Sequence, residues 1–128
     1  MTFRSVFGVM APGMIMGMIV GALAACQSPG ELAQKPPTWS AAYQAPWETM
    51  ANCIVARSQR PLVTVTPTFS SGRAQVVVTN PAGAVLGSFD IRQMSGGASE
   101  VAYRSIYGGP GTGAGGDARD IADRCARP

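Results

Sequence analysis

The sequence predicts an α+β fold: a small two-layer α-β-β-β-β-α domain with an antiparallel meander sheet and two helices on one face. Two observations carry that prediction. Apolar residues recur at helical spacing over Trp47–Val55 and again over Ala118–Cys125, whereas the stretch between them has the period of 2 and the β-branched content of strands. The links inside that stretch are short and built from Ser, Gly, Asn and Pro, which joins neighbours as hairpins rather than crossovers.

The elements follow in order. Trp39, Tyr43 and Trp47 are spaced by four, and the first pair fits one face of a short helix. Pro46 breaks that segment or starts a new helix, because proline suits a first helical turn and not a helix interior. From Trp47, the residues Met50, Ala51, Ile54 and Val55 fall at i+3, i+4, i+7 and i+8, giving an amphipathic helix to about Ser58. Cys53 lies at the edge of its apolar stripe, and Arg60-Pro61 ends it.

Leu62–Thr66 alternates valine with threonine, and Ala74–Thr79 is a β-branched run through Val76, Val77 and Val78. In Val85–Gln93, the apolar Val85, Phe89 and Ile91 are set against Ser88, Asp90 and Arg92. A fourth strand is expected over Glu100–Tyr107. Ser70-Ser71-Gly72-Arg73 and Asn80-Pro81-Ala82-Gly83 are the turns, the second with proline preset for position i+1. A final helix is expected over Asp117–Ala126, capped by Asp117, with Asp120/Arg124 and Asp123/Arg127 as i,i+4 pairs.

The N-terminal segment has a different character. Arg4 and the chain amine precede an uncharged stretch, which ends in the small residues Ala22–Ala25. Val6–Ala25 is, at about 20 residues, long enough to span a bilayer. Against a span, Pro12-Gly13 interrupts the run and no basic cluster follows it. Leu23-Ala24-Ala25-Cys26 resembles the lipobox of bacterial lipoprotein precursors. The resemblance implies that residues 1–25 are a cleaved signal and that Cys26 is acylated, making membrane lipid the first partner. Gln27 stands where an aspartate would imply retention at the inner membrane, which favours the outer membrane, facing the periplasm. Residues 26–38, with Pro29-Gly30 and Pro36-Pro37, then read as a lipidated cysteine on a Pro-rich tether. Residues 39–128 form a single small domain.

That assignment also sorts the cysteines. Of three, Cys26 goes to lipid, leaving Cys53 and Cys125 to pair in an oxidising compartment. The bridge would close a loop of about 73 residues, for which chain entropy gives roughly 4.4 kcal/mol as an upper figure. The alternative, two free redox thiols, lacks the C-x-x-C spacing.

Composition excludes more than it assigns. Beyond the signal the chain keeps nine of its ten basic residues against all seven acids, too weak and dispersed a charge for nucleic acid. There is no histidine, which removes the commonest general base and the commonest metal ligand together. Gly111-Thr112-Gly113-Ala114-Gly115-Gly116 matches the spacing of a dinucleotide-binding loop. No strand follows to complete a βαβ unit, and Asp117 and Asp120 put negative charge where a phosphate would sit. No cofactor and no metal are therefore expected, and the run reads as a connector.

Trp39 and Tyr43 are the candidate contacts with a partner or with the membrane surface, since amphipathic rings serve as anchors in both settings. The expected function is a noncatalytic envelope lipoprotein that works by contact with another envelope protein. An inhibitor or small-ligand-binding lipoprotein is the alternative, and an enzyme the next. A buried aromatic trio and a polar open sheet face would weaken the contact reading, whereas a pocket lined by Tyr103, Tyr107 or Arg104 would promote the ligand reading.

Overall fold

The computed structural model describes residue 32, residues 34–106 and residues 113–127. The signal segment, the lipobox, Cys26, Tyr107 and the start of the Gly-rich run lie outside them. The elements are β1 (Trp39–Tyr43), α1 (Trp47–Arg57), β2 (Thr64–Ser70), β3 (Arg73–Thr79), β4 (Val85–Gln93), β5 (Ser99–Ser105) and α2 (Gly113–Cys125). A short 3-10 turn at Ser95–Gly97 links β4 to β5. The fold is α+β, with one five-stranded sheet in the order β1-β5-β4-β3-β2 and every pairing antiparallel. Strands β2 to β5 form the expected meander. Among the described residues no helix is long and apolar enough to cross a membrane.

The first element differs from expectation. Trp39–Tyr43 is a strand paired with β5, not a helical turn. A spacing of four puts two side chains on one face in either conformation, because it is close to one helical turn and is also two strand repeats. Alternation decides the matter: Trp39, Ala41 and Tyr43 face the core, while Ser40 and Ala42 are exposed. Pairing with β5 also satisfies a row of backbone groups that a five-residue helix would leave largely open.

Strand β2 starts and ends later than expected and runs through Pro67. Proline lacks the N–H that a central strand needs on both sides, and β2 tolerates it because it is an edge. The turn to β3 is tight, with Gly72 at φ 70°, a conformation that costs glycine nothing and a β-carbon residue about 1 kcal/mol or more. Asn80 shapes the next turn, its Oδ1 accepting from the amides of Ala82 (3.0 Å) and Ala84 (2.9 Å).

Helix α2 begins four residues before the expected start, so Asp117 lies within the helix and does not cap it. Asp120 and Arg124 pair as expected at 3.0 Å. Asp123 does not reach forward to Arg127; it accepts from Arg119 one turn back, at 3.1 Å.

Both helices lie on the same face of the sheet. Beneath them run two cross-strand rows, Trp39–Tyr103–Phe89–Val76 and Ala41–Val101–Ile91–Ala74. Met50, Ala51 and Ile54 from α1, and Ala118 and Ala122 from α2, close over these rows. Met50, Ile54, Ile91 and Val101 are fully buried, and truncating Met50, Ile54 or Ile91 to alanine costs about 2–5 kcal/mol. Cys53 and Cys125 are joined in a disulfide, with their Cα atoms 5.7 Å apart, which fastens α1 to the end of α2.

The segment expected to be a free tether is in part attached. Leu32 is fully buried. The Lys35 carbonyl accepts from Arg104 Nε at 2.8 Å, and the Thr38 amide donates to the Tyr103 carbonyl at 2.7 Å. Thr38 Oγ1 also accepts from the Ser105 amide at 3.2 Å. These contacts carry the β1–β5 pairing beyond Trp39.

Candidate functional site

The residues singled out in the sequence fall into three places. Cys26 lies outside the described residues. Cys53 and Cys125 form the bridge between the helices. Trp39 and Tyr43, the candidate contact residues, both sit on the helix-covered face of the sheet.

Trp39 is 7% exposed. Its ring stacks on Tyr103 with centroids 5.9 Å apart, and the Arg119 guanidinium lies 5.3 Å from its ring centre. Tyr43 is half-buried and donates its hydroxyl to Asp123 Oδ1 at 2.7 Å. Burial, and then the hydrogen bond to the Asp123 carboxylate, hold its phenol well above the ordinary tyrosine range. Trp47 packs partly against the core, with Phe69 at 6.4 Å between centroids. The last four residues of the Gly-rich match, from Gly113 on, are already helical.

The open face of the sheet is polar. Arg73 grips Asp90 with two hydrogen bonds, at 2.9 and 2.5 Å, and Arg104 approaches the same carboxylate at 4.0 Å. Arg92 pairs with Glu100 across β4 and β5. Such pairs contribute roughly 0–1 kcal/mol each, so they mark a charged surface more than a source of stability.

A cleft lies at the opposite side of the sheet, where α1 ends and α2 begins. It is half-open to solvent, with a volume of about 120 Å³. Its floor is Gly87, Phe89 and Tyr103; Ser58, Arg60 and Val63 form one wall, and Asp117, Ala118 and Ile121 the other. Three local features create it. Strand β4 carries a bulge between Val85 and Gly87, so that Leu86 is the extra residue against β3. Gly87 has no side chain, and the Tyr103 ring occupies the room: a β-carbon there would stand 2.3 Å from the phenol oxygen. Helix α1 stops at Ser58, whose amide donates to the Ile54 carbonyl, and the chain then turns away through residues 59–63.

The polar groups of the cleft are unevenly satisfied. Arg60 and Asp117 form a long pair, 3.8 Å apart, with both side chains more than half exposed. Burial is the main cause holding the Tyr103 phenol above its ordinary range. Ser58 is 5% exposed, and its Oγ is buried without a hydrogen-bond partner. Beside it in the connecting loop, Leu62 adopts φ 65° and is 81% exposed. The left-handed region costs a residue of that bulk on the order of 1–2 kcal/mol.

Of the three residues whose lining of a pocket would promote the ligand reading, Tyr103 lines the cleft, Arg104 does not, and Tyr107 lies outside the described residues; Ser58, Arg60 and Gly87 were not singled out in the sequence. A glycine inside the apolar strand Val85–Gln93 was the available signal, since such glycines mark close approach of another group. Neither protein-family models nor curated proteins give a match to this chain.

Proposed function

We propose that this chain is a noncatalytic lipoprotein of the bacterial cell envelope, held in the outer membrane by acylated Cys26 and acting in the periplasm by binding. The Cys53–Cys125 bridge is the observation that carries the reading. It leaves Cys26 as the remaining cysteine, and an intramolecular disulfide suits the oxidising compartment to which an export signal delivers a chain. Binding rather than catalysis is supported by the lack of histidine and by the pairing of Asp90, Glu100 and Asp123 with arginines.

Two surfaces bear on the kind of binding. The open face around Arg73, Asp90, Arg92 and Glu100 is polar and the Trp39 ring is buried, the combination that weakens contact with another envelope protein as the mode of action. The cleft floored by Tyr103 favours a small ligand, and Trp39, with its ring in the core, offers a partner little surface.

Replacing Cys26 with serine tests the anchor. The variant is expected in the soluble fraction without lipid. Retention in the membrane with an intact amino terminus would overturn the reading and make Val6–Leu23 a true span. Crosslinking in the native envelope identifies any protein that meets the charged face.

A further inference from the structure

We infer that the cleft between the end of α1 and the start of α2 is a binding site for a small, neutral, single-ring or branched molecule bearing one hydroxyl or carbonyl oxygen. The inference deepens the small-ligand reading and does not depend on the lipid anchor. Ser58 supplies the first argument. A hydroxyl at a helix end ordinarily turns to a backbone carbonyl or to water, yet Ser58, a residue that lines the cleft, has an Oγ that is buried and unpartnered. Rotation of the hydroxyl toward the cleft would let a ligand oxygen complete it, as donor or as acceptor.

Size and charge narrow the ligand. A volume of about 120 Å³ suits one six-membered ring or its branched aliphatic equivalent; an apolar cavity of about 150 Å³ is enough to hold benzene. Val63, Val78, Phe89, Ala118 and Ile121 give the body of the molecule an apolar surround. Arg60 and Asp117 pair across 3.8 Å and give the cleft no net charge, so a charged ligand would find no unpaired counter-charge to offset its desolvation.

Phenol and toluene, which differ by the oxygen, are the probes. The full chain, with its disulfide intact, is labelled at methyl carbons and titrated with each. Phenol is expected to shift the methyl signals of Val63, Val78, Ala118 and Ile121 saturably, with a dissociation constant of about 0.1–1 mM, while Val101 in the core stays put. Ser58→Ala is expected to weaken phenol about tenfold and to leave toluene within about twofold. Val63→Trp, at the mouth, removes binding of both. Absence of saturable shifts in the wild-type chain up to about 10 mM phenol overturns the site. Equal loss of phenol and toluene in Ser58→Ala overturns the role of the hydroxyl. Failure of the anchor reading would appear in fractionation of the Cys26 variant and not in these spectra.

Discussion

Tyr43 and Asp123 are joined by a 2.7 Å hydrogen bond that ties the edge strand β1 to the last helix, across 80 positions of sequence. Asp123 Oδ1 also receives Arg119, so the carboxylate is the meeting point of strand and helix. Replacing Tyr43 with phenylalanine keeps the ring and removes the donor, while Arg119 still satisfies the carboxylate. Urea unfolding is expected to show a loss of about 1 kcal/mol. A loss below about 0.3 kcal/mol would mean that the bond adds nothing beyond what water supplies in its place.

The alkaline limb of stability follows from the same contact. Tyr43 and Tyr103 both hold their protons to higher pH in the folded chain than in the unfolded one, chiefly through burial. Folding therefore favours their neutral forms. The contribution is complete below the unfolded tyrosine value near pH 10, and it is lost as pH rises above that toward the folded values. Tyrosinate absorbance near 295 nm is expected to rise at about pH 10 for all three tyrosines in the unfolded chain. In the native chain Tyr43 and Tyr103 should lag behind. In Tyr43→Phe the fall in stability above pH 10 becomes shallower; an unchanged slope would exclude Tyr43 as its source.

The disulfide spans 72 positions and holds α1 against α2. Replacing both cysteines with alanine is expected to lower the unfolding free energy by about 3–4 kcal/mol, close to the chain-entropy figure for a loop of this length. In a domain of this size that is a large fraction of the total. Mass analysis without reductant should find the Cys53 and Cys125 peptides linked. Two alkylatable thiols in the native chain would contradict it.

Gly87 and Tyr103 share one space, with room for the ring or for a β-carbon and not for both. Gly87→Ala is expected to cost about 1–3 kcal/mol through displacement of the buried ring. Adding Tyr103→Leu should recover part of that loss, since the phenol end is then gone. The double-mutant cycle reports the coupling directly, and strictly additive losses would show that the ring moves aside freely.

Much of this architecture was legible from side-chain period and turn chemistry. Trp47 to Val55 announced α1, Asn80-Pro81 the β3–β4 turn, and the valine runs the meander, because in each case local propensity and tertiary placement agree. Trp39–Tyr43 was misread because its spacing suits both periods and its partner strand lies some 60 residues later. A sequence does not display its long-range pairing. The start of α2 was hidden in glycines, whose weak helix propensity is overridden by packing of Ala118 and Ala122 on the sheet. Of the site, Tyr103 could be suspected, whereas Ser58 acquires meaning only once α1 ends beside β4. Asp123 was assigned the wrong arginine because only tertiary structure brings Tyr43 to its side and favours the rotamer that meets Arg119.

The covalent bridge encloses residues 53–125, and β1 precedes it. A pull on the N-terminal side of the chain therefore passes through the contacts of Leu32, Lys35 and Thr38, the β1–β5 ladder, the Trp39 ring and the Tyr43 hydroxyl before it meets a bond that cannot be broken by thermal force. The rest of the sheet and both helices would stay cross-linked if that strand gave way. Mechanically, β1 is the strand that the bridge leaves unsecured, so a load from the N-terminal side is borne there by hydrogen bonds and packing alone.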